Sequence, residues 1–393
     1  MRKKINILVM PTDICNMNCV YCFHNTYHEK SGKMSLDTLK KMYDTVFASY
    51  KDVLFIWHGG EPLCMGKDFY EEAFKLQKLY QDVHIVNRMQ SNLTLLTDDF
   101  ADLLCENNVS VGTSYDGINN ETLRGNSKAI LTGRQKLIHR GKQCGFIMVL
   151  SNKNIDTLIE SYEKFKELRA NFSINPYVST NAQNNDELVL DSDLAAEKLN
   201  RFFDYWINDV KCNVHVDYFE RIIRFILFKE KTVCKYSSCL GKWMGIRYDG
   251  TIVPCNRFFP EKYNMGNVWD YIEISEAFNS QGFKLLLKEA IDRRYKCQQC
   301  EIFAFCAGGC NNVALNENGI SNNNGTTCKI TKSVYKHIMN YMRNNKESVY
   351  NPVVKKIISK RRIVKGCHCD MHFDSYENPT NLTKLQKENS AFD

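Results

Sequence analysis

Three thiols stand close together near the start of the chain, in the run DICNMNCVYCFHN, as Cys15-x3-Cys19-x2-Cys22. Thiolates at such intervals ligate soft metals, and a four-iron cluster held wholly by protein needs four of them. Only three occur here, so a cluster on this loop keeps one iron open to a ligand from outside the chain. A zinc knuckle is the competing reading of the same residues. A second field lies far downstream: Cys234, Cys239, Cys255, then Cys297-x2-Cys300-x5-Cys306-x3-Cys310, and Cys328. Eight thiolates are what two fully ligated four-iron clusters require, although structural zinc also accepts Cys-x2-Cys pairs.

The elements that must position these groups follow from the hydropathy pattern. Short apolar runs at 6–10, 53–58, 84–90, 109–115, 146–150 and 172–178 read as strands, separated by amphipathic helical stretches such as 35–50, with Ser35 as N-cap. Six βα units predict a parallel, TIM-like partial (β/α)6 barrel over 1–215, with its chemistry at the C-terminal ends of the strands. The thiol triad follows the first strand directly. A helical bridge is expected over 216–233, a small cysteine-rich iron–sulfur domain over 234–335, and a helix end with a basic polar tail over 336–393. Cys367 and Cys369, beside His368 and His372, read as a flexible, reactive tail.

Composition sets the outer limits. Apolar residues at 44% and charged residues at 25% are ordinary for a globular protein, and a net charge of +7 is too mild to argue for nucleic acid. No run is apolar enough to cross a membrane. Pro11, Asp13 and Cys15 follow the basic start too soon for a signal peptide. The expectation is a soluble cytoplasmic protein, where 17 cysteines do not form a disulfide framework and ligation becomes their leading role.

The first thiol run, with Tyr21 before its last cysteine and Phe23 after it, resembles the signature of the radical S-adenosylmethionine (SAM) superfamily. Gly59-Gly60-Glu61-Pro62, at the next strand end, matches that family's motif for the methionine amino group. Glycines let the backbone approach a ligand, and a carboxylate accepts from an ammonium. Gln90, Asn92, Ser114 and Asp116, at the ends of the third and fourth strands, resemble the family's ribose and carboxylate contacts. Arg124 is a further partner for the methionine carboxylate. Asn and Asp beside Gly are also ordinary turn residues. The resemblance implies that the open iron chelates SAM and that reduction of the cluster yields a 5′-deoxyadenosyl radical.

The downstream cysteines, with Gly250 eleven positions after Cys239 and five before Cys255, resemble the SPASM extension of peptide-modifying members. That resemblance assigns Cys234, Cys239, Cys255 and Cys310 to one auxiliary cluster and Cys297, Cys300, Cys306 and Cys328 to the other. Three [4Fe–4S] clusters result, fed by a flavodoxin- or ferredoxin-like electron donor.

The whole architecture resembles both the anaerobic sulfatase-maturating enzymes, which oxidise Cys or Ser to formylglycine, and maturases of ribosomally made peptides. The former carry an Asp base where this chain has Asn256, a Tyr where it has His24 and a Gln where it has His58. An amide cannot remove a proton. Sequence alone therefore puts thioether or carbon–carbon cross-linking of a short precursor peptide first, and formylglycine formation second. His24 and His58 become candidates for proton transfer or substrate positioning. The other classes are a small-molecule radical enzyme and a non-catalytic zinc scaffold.

Overall fold

The computed structural model describes residues 3–26, 32–180, 186–237, 239–345 and 348–364. Cys367 and Cys369 lie outside these described residues. Eight strands form one open sheet: β1 Lys4–Met10, β2 Asp52–Trp57, β3 His84–Ser91, β4 Ser110–Ser114, β5 Phe146–Leu150, β6 Phe172–Pro176, β7 Trp243–Arg247 and β8 Ile252–Val253. Their order is β6-β5-β4-β3-β2-β1-β7-β8. Every pairing is parallel except the β7–β8 hairpin.

Side-chain alternation gives the sheet two different faces. Ile5, Ile7, Val9, Val53, Phe55 and Trp57 are fully buried and pack under the outer helices. Helix Leu36–Ser49 is one of these, and it presses Leu39, Met42, Val46 and Phe47 onto the sheet. Its start is fixed by Ser35, whose hydroxyl accepts from the Thr38 N–H at 3.0 Å, a cap worth about 1 kcal/mol. The opposite parity carries Arg88, Gln90, Ser114, Asn175 and Arg247, all half-buried. A half-buried polar lining on a parallel sheet marks a concave face that admits a ligand, since parallel sheets are ordinarily covered by apolar packing on both sides.

The six predicted barrel strands are present, but the sheet does not end with them. β7 comes from the cysteine-rich segment and pairs with β1, from Asn6 opposite Trp243 to Met10 opposite Arg247. The boundary expected at residue 234 is therefore crossed by a continuous sheet. The polar tail also needs correction. Helix Pro352–Val364 buries Val353, Val354 and Ile357 in the core shared with Trp206 and Phe219. Asn351 Nδ2 donates to the Ile207 carbonyl at 2.8 Å, fixing the start of this helix. Among the described residues, no helix is long and apolar enough to span a membrane.

Candidate functional site

The loop after β1 carries the thiol triad and is clamped by the loop after β2. The backbone N–H of Gly60 donates to Thr12 O at 2.9 Å, and that of Glu61 donates to Ile14 O at 2.8 Å. So close an approach needs glycine. A Cβ on Gly60 would stand 2.4 Å from Ile14 O, and one on Gly59, which adopts φ +109°, would stand 2.4 Å from Thr12 O. Pro62 opens the short turn that follows.

The Glu61 side chain is held by protein donors. It is 2% exposed, and Oε1 accepts from the Ser91 hydroxyl at 2.6 Å and Leu63 N–H at 3.0 Å, while Oε2 accepts from Asn92 N–H at 2.7 Å. Burial raises its pKa, and these donors hold it back. In this geometry it braces the loop after β2 against the end of β3. Asn92 is similarly occupied. Its Nδ2 donates to Asn16 Oδ1 at 2.9 Å, and its Oδ1 accepts from Thr94, so it steadies the thiol loop from the side.

Asp116, fully buried, receives the Tyr21 hydroxyl on one oxygen and Val149 N–H at 2.9 Å on the other. Arg124 donates to the same Tyr21 oxygen at 2.8 Å. Burial works against the Arg124 charge, but Tyr21, Cys19 and Asp116 push its pKa up. Asp116 is thus a brace for the thiol loop and for Arg124. The Arg124 Nε is buried with no acceptor, which suits an anionic group brought by a ligand. Gln90 Nε2 meets Ser114 Oγ at 3.1 Å on adjacent strands of the concave face.

Within the triad, burial is the largest influence holding Cys15 and Cys19 in the neutral form. Burial, then Glu61, Cys22 and Cys19, push Cys15 up to about 12. Cys19 is raised by burial and by Cys22 and Asp116, with Arg124 opposing. Thiols in this position ionise when a cation binds them. The same logic groups the downstream cysteines. Cys239 is raised by burial and by Cys234, Cys310 and Cys255. Burial, then Cys328, Cys297 and Cys300, push Cys306 up to about 12. The neighbours that act on Cys239 and on Cys306 are members of the quartet to which the family resemblance assigns each of them. Among the described residues, no three His, Cys, Asp or Glu side chains are drawn in tightly enough to hold a single metal ion.

A third group joins the segment after the first thiol run, the end of β2 and the segment after Cys255. The His24 ring lies 6.3 Å from His58 and 5.9 Å edge-on from Phe259, and Phe23 is 5.9 Å from Phe259. Arg257 lies over Phe23 and Arg247 over Phe259. Asn256 is buried in the same segment, directly after Cys255. His58 Nδ1 accepts from Gly59 N–H at 2.8 Å. Burial and the Arg257 charge hold its pKa down at about 4, so near neutral pH it is uncharged and carries its proton on Nε2. Phe259, Arg257 and Arg247 were not singled out in the sequence. The CNRFF run holds two of them, but nothing local shows that it faces the loop after β1.

Comparison with known proteins agrees with this geometry. Residues 9–165 match the Radical SAM superfamily, and residues 234–301 match an iron-sulfur cluster-binding domain, SPASM. A cysteine-type anaerobic sulfatase-maturating enzyme of Clostridium novyi is 28% identical over 78% of this chain and 88% of its own length. The structure is similar to native anSMEcpe with bound AdoMet and Cp18Cys peptide, at a TM-score of 0.78 and 22% identity, over 87% of this chain and 99% of that one. It is also similar to Streptococcus suis SuiB bound to precursor peptide SuiA, at a TM-score of 0.62 and 15% identity, over 83% and 76%. The domains imply SAM with a four-iron cluster and auxiliary clusters, and one thiol triad with two quartets fits that complement. On these grounds the zinc scaffold is set aside, and the chain belongs to the radical SAM superfamily as an enzyme with a C-terminal SPASM domain.

Proposed function

We propose that the enzyme oxidises a Cys or Ser side chain of a peptide or protein by two electrons, beginning with abstraction of a hydrogen atom. The observation that carries this reading is the similarity to a sulfatase-maturating enzyme, which runs through the barrel and the SPASM domain alike. Solved structures of similar fold hold peptides. The order drawn from sequence, with cross-linking first, is reversed.

Cys15, Cys19 and Cys22 are assigned to the cluster with the open iron. SAM bound there supplies, on reduction, the 5′-deoxyadenosyl radical that takes the hydrogen atom. Arg124 would hold the methionine carboxylate, the Gly59–Pro62 turn would meet the amino group, and Gln90 with Ser114 would line the site of the nucleoside. Taking the side-chain carbon to the aldehyde level removes two hydrogens. One leaves as the abstracted atom, the other as a proton and an electron. For Cys the resulting thioaldehyde is hydrolysed, with release of hydrogen sulfide.

Auxiliary clusters held by the downstream cysteines would supply an acceptor for that electron, and the proton needs a base. Asn256 offers no basic lone pair on its amide nitrogen. His58, with Nδ1 occupied by Gly59 N–H, donates from Nε2 and orients the substrate. His24 is assigned as the proton acceptor. Cross-linking keeps one observation in its favour, which is Asn256 itself.

Anaerobic incubation with SAM, a reductant and a sulfatase-derived Cys peptide tests the choice. Aldehyde trapped by a hydrazine is expected, and His24→Phe should lower its yield by about a hundredfold while SAM cleavage continues. A peptide that remains unchanged, or that loses two hydrogens with a new internal cross-link, would overturn formylglycine chemistry.

A further inference from the structure

Helix Gln281–Cys297 carries two adjacent arginines between the thiol quartets. Arg293 is 1% exposed, a cation buried to an extent rare without a charged partner. Its Nε donates to Gly308 O at 2.9 Å, and its terminal nitrogens donate to Gly309 O, Ile320 O and Asn311 Oδ1. All of these acceptors are neutral. Gly308 and Gly309 form the link between Cys306 of one quartet and Cys310 of the other. The same Asn311 turns Nδ2 towards Cys239 Sγ at 3.7 Å. Arg293 therefore grips the segment that joins the two quartets and reaches one of them through an amide.

Arg294 is placed differently. Its Nε is buried with no acceptor, and its Cγ would lie 3.1 Å from a Cβ built on Gly308. The cysteines near it, which become thiolates on ligating a cluster, are Cys239 from one assigned quartet and Cys306 and Cys297 from the other. Those facing Arg293 are Cys310, Cys297 and Cys239. Lys231 faces Arg294 as a further cation.

A four-iron cluster with four thiolates is an anionic centre, and its potential responds to net charge and nearby donors. We infer that Arg293 and Arg294 are the internal counter-charge of the auxiliary clusters, raising both reduction potentials so that each cluster, when oxidised, more readily accepts the single electron lost by the substrate. The inference rests on the ligand map proposed above. It concerns positioning of charge, since neither arginine touches the reacting atoms.

Redox titration followed by electron paramagnetic resonance, on anaerobically reconstituted full-length enzyme, tests it with Arg294→Gln and Arg294→Lys. Arg294→Gln is expected to keep its iron and shift the auxiliary potentials negative by about tenfold in the reduction equilibrium, about 59 mV for one electron. Arg294→Lys should stay near the wild-type values, and the barrel cluster should not move in either variant. Unmoved auxiliary potentials in an iron-replete Arg294→Gln protein would overturn the inference while leaving the ligand map intact. Should Arg294→Gln lose iron, Arg294→Lys decides: full iron at wild-type potentials supports a role for the charge, and lost iron or shifted potentials refutes it. Wild-type enzyme that lacks two auxiliary clusters would refute the map itself.

Discussion

Replacing Cys15, Cys19 and Cys22 together with Ala is expected to abolish 5′-deoxyadenosine formation while about two-thirds of the iron stays bound. The barrel should survive the change. Its thiol loop is held by the Tyr21–Asp116 and Asn16–Asn92 hydrogen bonds and by backbone bonds to Gly60 and Glu61, none of which involves a cysteine side chain. The loss should therefore appear in SAM cleavage and iron content, with little change in the unfolding midpoint. Undiminished cleavage in the triple variant would remove the open-iron assignment.

Ser at Cys297 or Cys300 is expected to lower peptide oxidation by more than about a hundredfold, because an incomplete ligand set no longer holds its cluster. Abortive SAM cleavage at the barrel should persist. The destabilisation should be local. Cys297 closes the long helix that carries Arg293 and Arg294, and Cys300 begins the turn that leads to Cys306, so hydrogen exchange should quicken over 281–330 before it does in the barrel. Full iron and full peptide turnover in either variant would contradict the assignment of these two cysteines.

What the sequence made legible was whatever is contiguous. The thiol triad, the Gly-Gly-Glu-Pro turn and six strands were readable because each is a short run whose residues act together. Division of the downstream cysteines into quartets came from family resemblance, and it stays an assignment for iron analysis to test. Long-range pairing was not legible. β7 is five residues long and contains a glycine, so nothing local announces that WMGIR joins β1, more than 230 residues earlier. Side-chain partners were not legible for a related reason. Glu61, Asn92 and Asp116 were read as ligand contacts by position, and the structure adds protein hydrogen bonds to each that the sequence did not show. Arg293 was invisible because a cation on a helix rich in Lys and Arg ordinarily faces water.

Formylglycine chemistry, cross-linking and the arginine counter-charge all presuppose three clusters on one chain. The measurement that tests this most directly is iron, acid-labile sulfide and zinc per chain in the anaerobically reconstituted wild-type enzyme. Eleven assigned thiolates and one open iron predict about twelve irons, a matching amount of sulfide and no stoichiometric zinc. About four irons, or zinc held at the downstream cysteines, would contradict it.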